Sequence, residues 1–222
     1  MANGKFEAQN RNQMVETTLD LLDAVAEGDA ISQRGLAERL GVALGLTNAV
    51  LKRCVKKGLL KISQVPARRY AYYLTPQGFA EKSRLTAEYL SHSLNFYRTA
   101  RHEYAEIFRF CATRNWRRVV IVGATDLAEI ATLAMVGTDV SIVGVLDPGR
   151  NEATFCDIPV YQTLEAIQSS QRPDAIIIAD MTDPQQTRDR LIALLPEDCV
   201  LTPKFMRVSG MSAHQIPGVS VQ

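Results

Sequence analysis

The turn after the apolar stretch 119–122 has residue types that could hold a phosphate. In the pattern G-x-G-x-x-G/A, a strand enters a helix and backbone N–H groups of the turn face a pyrophosphate. Gly123 fills the first position and Ala128 is allowed at the third, whereas Thr125 occupies the second. A threonine side chain crowds the place where the backbone approaches the pyrophosphate. The turn therefore keeps what a strand-to-helix connection needs and loses part of what a dinucleotide needs.

Two carboxylates bear on this candidate ligand site. Asp126 puts a negative charge in the first helical turn, which favours the helix dipole but repels a phosphate. Asp147 stands where a carboxylate would contact a ribose, and it is equally the first residue of a DPG turn. We expect NAD to bind weakly or not at all, with a Kd no better than about 0.1 mM. The candidate ligand-binding residues are Gly123, Ala124, Thr125, Asp126 and Asp147.

A second set of residues suits nucleic acid. The stretch after Gly41 is expected to form a helix with Thr47 and Val50 inward. Its outer face combines small residues, which let a helix enter the major groove, with side chains that reach bases or phosphates. The expected DNA contacts on this face are Ala43, Leu44, Gly45, Asn48, Ala49, Lys52, Arg53 and Lys56. Arg68 and Arg69 lie at a hairpin tip and suit the minor groove or its phosphates. The alternative is an ordinary solvated basic surface.

Patterns for catalysis and metal binding are missing from the sequence. The four cysteines show no CxxC spacing, and the three histidines do not cluster. There is no Tyr-x-x-x-Lys pair and no histidine–carboxylate constellation. We therefore expect no metal site, no catalytic residues and no enzyme activity.

Composition and charge favour a cytoplasmic protein with two different halves. Hydrophobic residues make up 46% and charged residues 22%, and no apolar run is long enough to span a bilayer. The polar N-terminus shows no signal peptide. Residues 1–118 carry 19 Lys and Arg against 11 Asp and Glu, whereas residues 119–222 carry 6 against 13. A basic half joined to an acidic half suggests that the first half meets nucleic acid.

The basic half predicts a winged helix-turn-helix. A helical stripe covers 12–27 and ends at Gly28, and Ser32 is a plausible N-cap for the next helix, whose inner face holds Leu36, Ala37 and Leu40. Gly41 suits the tight turn before the recognition helix. Two short strands, LLKISQV and RYAYYLT, then form the wing.

A long helix is predicted over 76–112. Its apolar residues recur at steps of three and four, with Arg101 filling one gap, along the stripe Leu90, Leu94, Tyr97, Tyr104, Phe108 and Cys111. The stripe favours a dimerisation helix. The alternative is packing against the chain's own domains.

Alternating strands and helices predict a small parallel sheet in the acidic half, with about five strands. The predicted fold is thus α/β and multidomain. Residues 1–75 form the winged helix, 76–115 the linking or dimerisation helix, and 116–222 a Rossmann-like effector or oligomerisation domain.

Both halves resemble known families. "ISQRGLAERLGV", "LKRCVKKGLLK" and "YAYYLTPQGFAEKSRLTAEYL" resemble MarR-type winged helices, especially a branch associated with exopolysaccharide gene clusters. One departure is Ala43, where a serine is common before the recognition helix. "RRVVIVGATDLAEIATLA", "IVGVLDPGR" and "CDIPVYQTLEAI" resemble the Rossmann domains of sugar-nucleotide dehydratases in polysaccharide biosynthesis and of NAD-sensing redox repressors.

These resemblances imply a dimeric transcription regulator that binds double-stranded DNA. The sequence identifies no cofactor, and we expect that none is required. A nucleotide or sugar-nucleotide effector is possible, and control of polysaccharide genes is what the resemblance implies. The alternatives are an NAD(H)-responsive repressor and, less favoured, a sugar-nucleotide enzyme.

Overall fold

Three helices and a two-stranded hairpin begin the chain, in the order that the sequence predicts. The computed structural model describes residues 3–27, 32–65, 69–170 and 172–210. It divides into two units, Met1–Leu94 and Asn95–Gln222. The elements of the first unit before its last helix are α1 (Asn3–Ala26), α2 (Gln33–Leu40), α3 (Leu44–Lys56), β1 (Leu60–Val65) and β2 (Arg69–Leu74). Strands β1 and β2 are antiparallel. Gly28, predicted to end the first helix, lies outside the described residues.

An apolar core holds the helices of the first unit together. Leu21 and Leu22 of α1, Leu36 of α2 and Val50 of α3 are almost fully buried in one cluster. Burying a leucine or valine of this kind stabilises a fold by about 1.5–3 kcal/mol. The inward faces that the sequence predicts for the second and third helices are therefore confirmed at these positions.

The long helix α4 (Pro76–Thr113) has the predicted extent. It begins after Thr75, whose hydroxyl oxygen accepts a hydrogen bond from the Gly78 N–H at 3.0 Å. The same threonine fixes the helix start to the hairpin, because its backbone N–H donates to the Leu59 carbonyl at 3.1 Å. The boundary between the two units falls within this helix.

The apolar stripe of α4 has two different environments. Tyr104, Phe108 and Cys111 are fully buried in the core of the second unit, and the Tyr104 hydroxyl donates to the Ile178 carbonyl at 3.1 Å. Burial raises the pKa of the Cys111 thiol to about 12. The expectation that the whole stripe faces a second subunit is therefore wrong for this part. Leu90 and Leu94, by contrast, are 53% and 51% exposed.

The second unit contains an α/β sheet. Its further elements are β3 (Arg118–Val122), α5 (Asp126–Ala134), β4 (Ser141–Leu146), β5 (Thr154–Phe155), β6 (Ile158–Tyr161), α6 (Leu164–Ser170), β7 (Ala175–Ile178), α7 (Pro184–Ile192) and β8 (Val200–Leu201). The strand order is β5-β6-β4-β3-β7-β8. All neighbouring pairs are parallel except β5 with β6. The short antiparallel strand β5 is an addition that the sequence analysis did not predict.

The sheet is covered on both faces. Val119 and Ile121 of β3 belong to one apolar cluster, and Val120 belongs to the other, as expected from the alternation of side chains along a strand. From β3 the sheet grows to one side through β4 and β6 and to the other side through β7 and β8. In sheets of this order, the carboxyl end of the central strand opens a crevice where ligands commonly bind.

Candidate nucleic-acid interface and switch-point turn

Two caps set the geometry of the helix-turn-helix. Ser32 accepts a hydrogen bond from the Gly35 N–H at 3.1 Å and so caps the start of α2, as predicted. Gly41 has a φ of 62°, in the left-handed region that glycine adopts without strain. Its N–H bonds back to α2, as does that of Val42, which donates to the Ala37 carbonyl. The chain therefore turns sharply into the recognition helix α3.

One face of α3 is fixed by the core. Thr47, Val50, Leu51 and Cys54 are buried, and the Thr47 hydroxyl bonds to the carbonyl of Ala43 at 3.3 Å. Ala43 stands at the N-cap and provides no side-chain hydrogen bond there. Its departure from serine thus leaves the first N–H groups of the helix without a side-chain cap.

The opposite face of α3 is open and cationic. Ala43, Leu44, Gly45 and Ala49 are exposed and small or apolar. The exposed cations are Lys52, Arg53, Lys56 and Lys57. Among the described residues, no carboxylate lies within ion-pair distance of these four cations. All the recognition-helix positions named from the sequence, apart from Asn48, are therefore exposed. Lys52 and Lys56 line a cavity with Asn48, whereas Arg53 lines another cavity with residues of α1 and α4.

Asn48 lies deeper than the sequence suggests. The residue is half-buried, and its Oδ1 is buried without a hydrogen-bond partner among the described residues. It lines a cavity of about 550 Å³, in which Gln33 Nε2 donates to the Tyr72 hydroxyl at 2.9 Å. A buried oxygen that accepts no hydrogen bond costs free energy. A rotation that brought Asn48 Oδ1 to a hydrogen-bond donor would recover that free energy.

The wing contributes less to the described interface. Arg68 lies outside the described residues, and Arg69 is the first residue of β2. On the described part of the hairpin, Ile62 and Tyr73 are about half exposed. The expected contact of the two arginines with DNA stays a prediction.

In the turn at residues 123–128, the candidate ligand-binding groups form hydrogen bonds with other groups of the same chain. Asp147 Oδ2 accepts a hydrogen bond from the Ala124 N–H at 2.9 Å, and Oδ1 accepts from the Gly149 N–H at 3.0 Å. The carboxylate thus occupies a backbone donor that a phosphate would need, and it also closes the DPG turn. The Thr125 hydroxyl accepts from the Leu127 N–H and donates to the Ala179 carbonyl at 2.7 Å.

Arg150 is a contributor that the sequence analysis missed. Its Nη1 donates to the Ala124 carbonyl at 2.9 Å, its guanidinium lies 4.8 Å from the centre of the Phe155 ring, and its Nε pairs with Glu152 at 3.1 Å. Asp147 and Arg150 therefore bind the N–H and the carbonyl of the same residue. The sequence DPGR could have indicated this arginine, because Arg150 is the last residue of the turn that Asp147 begins.

Asp126 and Ala128 complete the turn. Asp126 is exposed at the start of α5, and Ala128 is fully buried against the sheet, as the third position of the pattern requires. Within the described residues, no group of three or more His, Cys, Asp and Glu side chains is arranged to hold a metal ion. No helix in the described part of the chain is long and apolar enough to cross a membrane.

Comparison with known protein families supports the winged-helix interpretation of the first unit. Residues 14–61 match the family model described as winged helix-turn-helix DNA-binding. These residues contain the buried face of α1, the turn at Gly41 and all of α3. A search of the curated proteins finds no match. The first unit therefore contains a winged helix-turn-helix DNA-binding domain.

Similar solved structures include a transcription regulator, a methyltransferase and a protein in complex with SAH. A MarR family transcription regulator shares 21% identity at a TM-score of 0.33, over 36% of this chain and 54% of that one. This chain thus spans about half of that regulator's length. The mitomycin 7-O-methyltransferase MmcR shares 14% identity at a TM-score of 0.32, over 90% of this chain and 80% of that one. PigF with SAH shares 12% identity at a TM-score of 0.24, over 91% of this chain and 60% of that one. These similarities are too low to carry an argument about ligand or reaction.

Proposed function

We propose that the chain is a sequence-specific transcription regulator. In this proposal residues 1–75 bind DNA, 76–115 form the linking helix, whose exposed stretch pairs two subunits, and 116–222 form a Rossmann-like domain for effector sensing or oligomerisation. The observation that carries the proposal is the set of exposed cations on α3, within the matched winged helix-turn-helix, that have no ion-pair partner in the described part of the chain. Control of polysaccharide genes rests on the resemblance to MarR-type proteins of exopolysaccharide clusters.

The division of work on α3 follows from its side chains. Exposed Gly45 and Ala49 let the helix approach the floor of the major groove, where base edges differ between base pairs. Lys52 reaches a base edge or phosphate, and Arg53 and Lys56 contact the backbone. The proposal is tested by titrating a labelled duplex with the full chain over a range of salt concentrations. Binding that weakens steeply with salt is expected, and affinity unchanged by salt would count against it.

A homodimer is the second element of the proposal. A pair of recognition helices reads a two-fold symmetric site better than one does. The stretch of α4 around Leu90 and Leu94 is the proposed seam, because two leucines one helical turn apart are half exposed there. Apolar residues on one face of a helix form the seam when two helices pair.

Replacing Leu94 by glutamate should convert the dimer into monomers, since a carboxylate would be buried in the seam. Light scattering coupled to size exclusion measures the mass. Leu133→Glu is the matched control, because Leu133 is also a helical leucine that is 51% exposed, and this variant should remain dimeric. A soluble Leu94→Glu protein that is still a dimer would place the interface elsewhere.

The proposed second domain does not use NAD as its effector. The Ala124 N–H is held by Asp147 and its carbonyl by Arg150, so a pyrophosphate would have to displace both interactions. The Asp147 charge also opposes a phosphate. An uncharged or smaller effector in the crevice is compatible with these contacts, because the crevice belongs to the fold rather than to the turn residues.

Calorimetry with NAD, NADH and a sugar nucleotide should give a Kd no better than about 0.1 mM for the two dinucleotides. Asp147→Ala frees the Ala124 N–H and should leave NAD affinity equal or improved. Micromolar NAD(H) binding that is lost in Asp147→Ala would instead establish the redox-sensing alternative. Turnover of the sugar nucleotide would establish the enzyme alternative.

A further inference from the structure

A second cavity in the first unit lies beside the recognition helix. It has a volume of about 440 Å³ and is formed by α1, the C-terminal part of α3 and the start of α4. Val15, Leu59 and Leu85 line its apolar wall, and Cys54 lies with them. Burial raises the pKa of the Cys54 thiol, so this side chain is neutral at pH 7. The volume falls in the range typical of small-ligand sites, about 300–1,000 Å³.

The rim of this cavity has an excess of positive charge. Arg53, Lys57 and Arg84 line it together with the carboxylate of Glu81. Glu81 is paired with Arg84 at 2.8 Å, and Arg84 also pairs with Glu88 at 2.8 Å. Arg53 and Lys57 have no ion-pair partner among the described residues. The cavity therefore offers two free cations beside an apolar wall.

We propose that this cavity binds a medium-chain carboxylate. The carboxylate lies at Lys57 and Arg53, and the alkyl chain lies against Val15, Leu59 and Leu85. A cationic amphiphile would be repelled by the same rim, and inorganic phosphate would leave the apolar wall unused. A neutral alcohol of equal chain length gains the apolar contact without the ion pair, so it should bind more weakly.

Such a ligand would weaken DNA binding, and this part of the proposal rests on the proposed function. Arg53 belongs to the cationic face of α3 that is proposed to contact DNA phosphates. A carboxylate bound to Arg53 and Lys57 neutralises charge that DNA would otherwise use. Because linkage is reciprocal, DNA should lower the affinity for the carboxylate by the same factor.

The experiment compares decanoate with decanol on the full chain. Calorimetry without DNA should show decanoate binding and at least about fivefold weaker binding of decanol. Lys57→Gln should weaken decanoate binding by about fivefold, whereas Lys61→Gln, which removes an exposed cation on β1, should not change it.

A cavity-filling variant separates the pocket from the DNA surface. Thr18 lines the cavity, and its hydroxyl bonds to the carbonyl one turn earlier in α1. Thr18→Phe should abolish decanoate binding and leave DNA affinity unchanged. Thr132→Phe is the control, because Thr132 is a helical threonine with a similar bond to Glu129 in the second unit. Circular dichroism melts check that each variant is folded. If Thr18→Phe does not fold, the Lys57→Gln variant tests decanoate binding in the cavity.

The outcomes distinguish this inference from the proposed function. Decanoate binding that depends on Lys57 and weakens DNA binding supports both. Decanoate binding that depends on Lys57 in a protein without DNA affinity supports the site and overturns the regulator. DNA binding without decanoate binding, or decanoate binding equal to that of decanol and unaffected by Lys57→Gln, overturns the site alone.

Discussion

Alanine at Lys52, Arg53 and Lys56 together should reduce DNA affinity by at least about a hundredfold at low salt. All three side chains are exposed on α3, and none has an ion-pair partner among the described residues. If each contacts one phosphate, the slope of log affinity against log salt should become less steep by about 2.7. Fluorescence anisotropy with a labelled duplex gives both quantities.

The control for this experiment removes the same charge elsewhere. Arg190, Lys204 and Arg207 are exposed cations of the second unit. The triple alanine variant at these positions has the same net charge as the α3 variant. It should keep the affinity within about threefold, because charges outside the interface act only through the screened long-range field. An equal loss in both variants would mean that DNA is held by overall charge and that α3 is not the interface.

Gly123→Ala should destabilise the second unit by about 3 kcal/mol or more. Gly123 has a φ of 97°, and a Cβ there would lie 2.8 Å from the Asp180 backbone nitrogen and 2.9 Å from its Cα. Both atoms are backbone, so relief requires β3 and the end of β7 to separate. Urea unfolding followed by the fluorescence of Trp116, the only tryptophan, reports on this unit, because Trp116 packs against its core.

Gly137→Ala separates backbone conformation from the clash. Gly137 has a φ of 88°, but a Cβ there would meet nothing within 4 Å. This variant should lose only about 1 kcal/mol, the cost of a left-handed conformation for alanine. If both variants lose the same free energy of unfolding, the close approach at Gly123 does not affect stability. The glycine would then be free to serve a ligand, as the sequence pattern first suggested.

The helix-turn-helix could be predicted because its determinants are local. Ser32 caps a helix that begins at the next residue, and Gly41 ends that helix in a conformation that glycine adopts easily. Apolar spacing then identifies the buried face of α3. These signals act within one or two helical turns, so the sequence contains them without reference to the rest of the fold.

The partners of α4 could not be read in the same way. Periodic apolar residues show that one face of a helix is covered, but they do not show what covers it. Leu94 and Tyr104 belong to one continuous stripe. Yet Leu94 is half exposed while Tyr104 is buried and bonded to Ile178, 74 residues further along the chain. Only the arrangement of the sheet decides between a second subunit and the chain's own core.

The turn after β3, at residues 123–128, also could not be interpreted fully from the sequence. Thr125 lies in the turn and Asp126 begins the helix that follows it, so their effect on a pyrophosphate is visible in the sequence. The hydrogen bond that Asp147 accepts from the Ala124 N–H spans 23 residues, and the one that Arg150 donates to the Ala124 carbonyl spans 26. They depend on β3 and β4 being parallel neighbours. The sequence could place Asp147 near the turn but could not decide between a ribose contact and a contact with the backbone.

Selection of genomic DNA fragments by the purified full chain tests the central claim most directly. A dimer that presents two α3 helices should enrich one pseudo-palindrome with half-sites about one helical turn apart. Lys52→Ala should lower affinity for that sequence by about 1–3 kcal/mol and relax its preference. Enrichment without any shared sequence, or a preference that the alanine variant retains in full, would contradict sequence-specific recognition by α3.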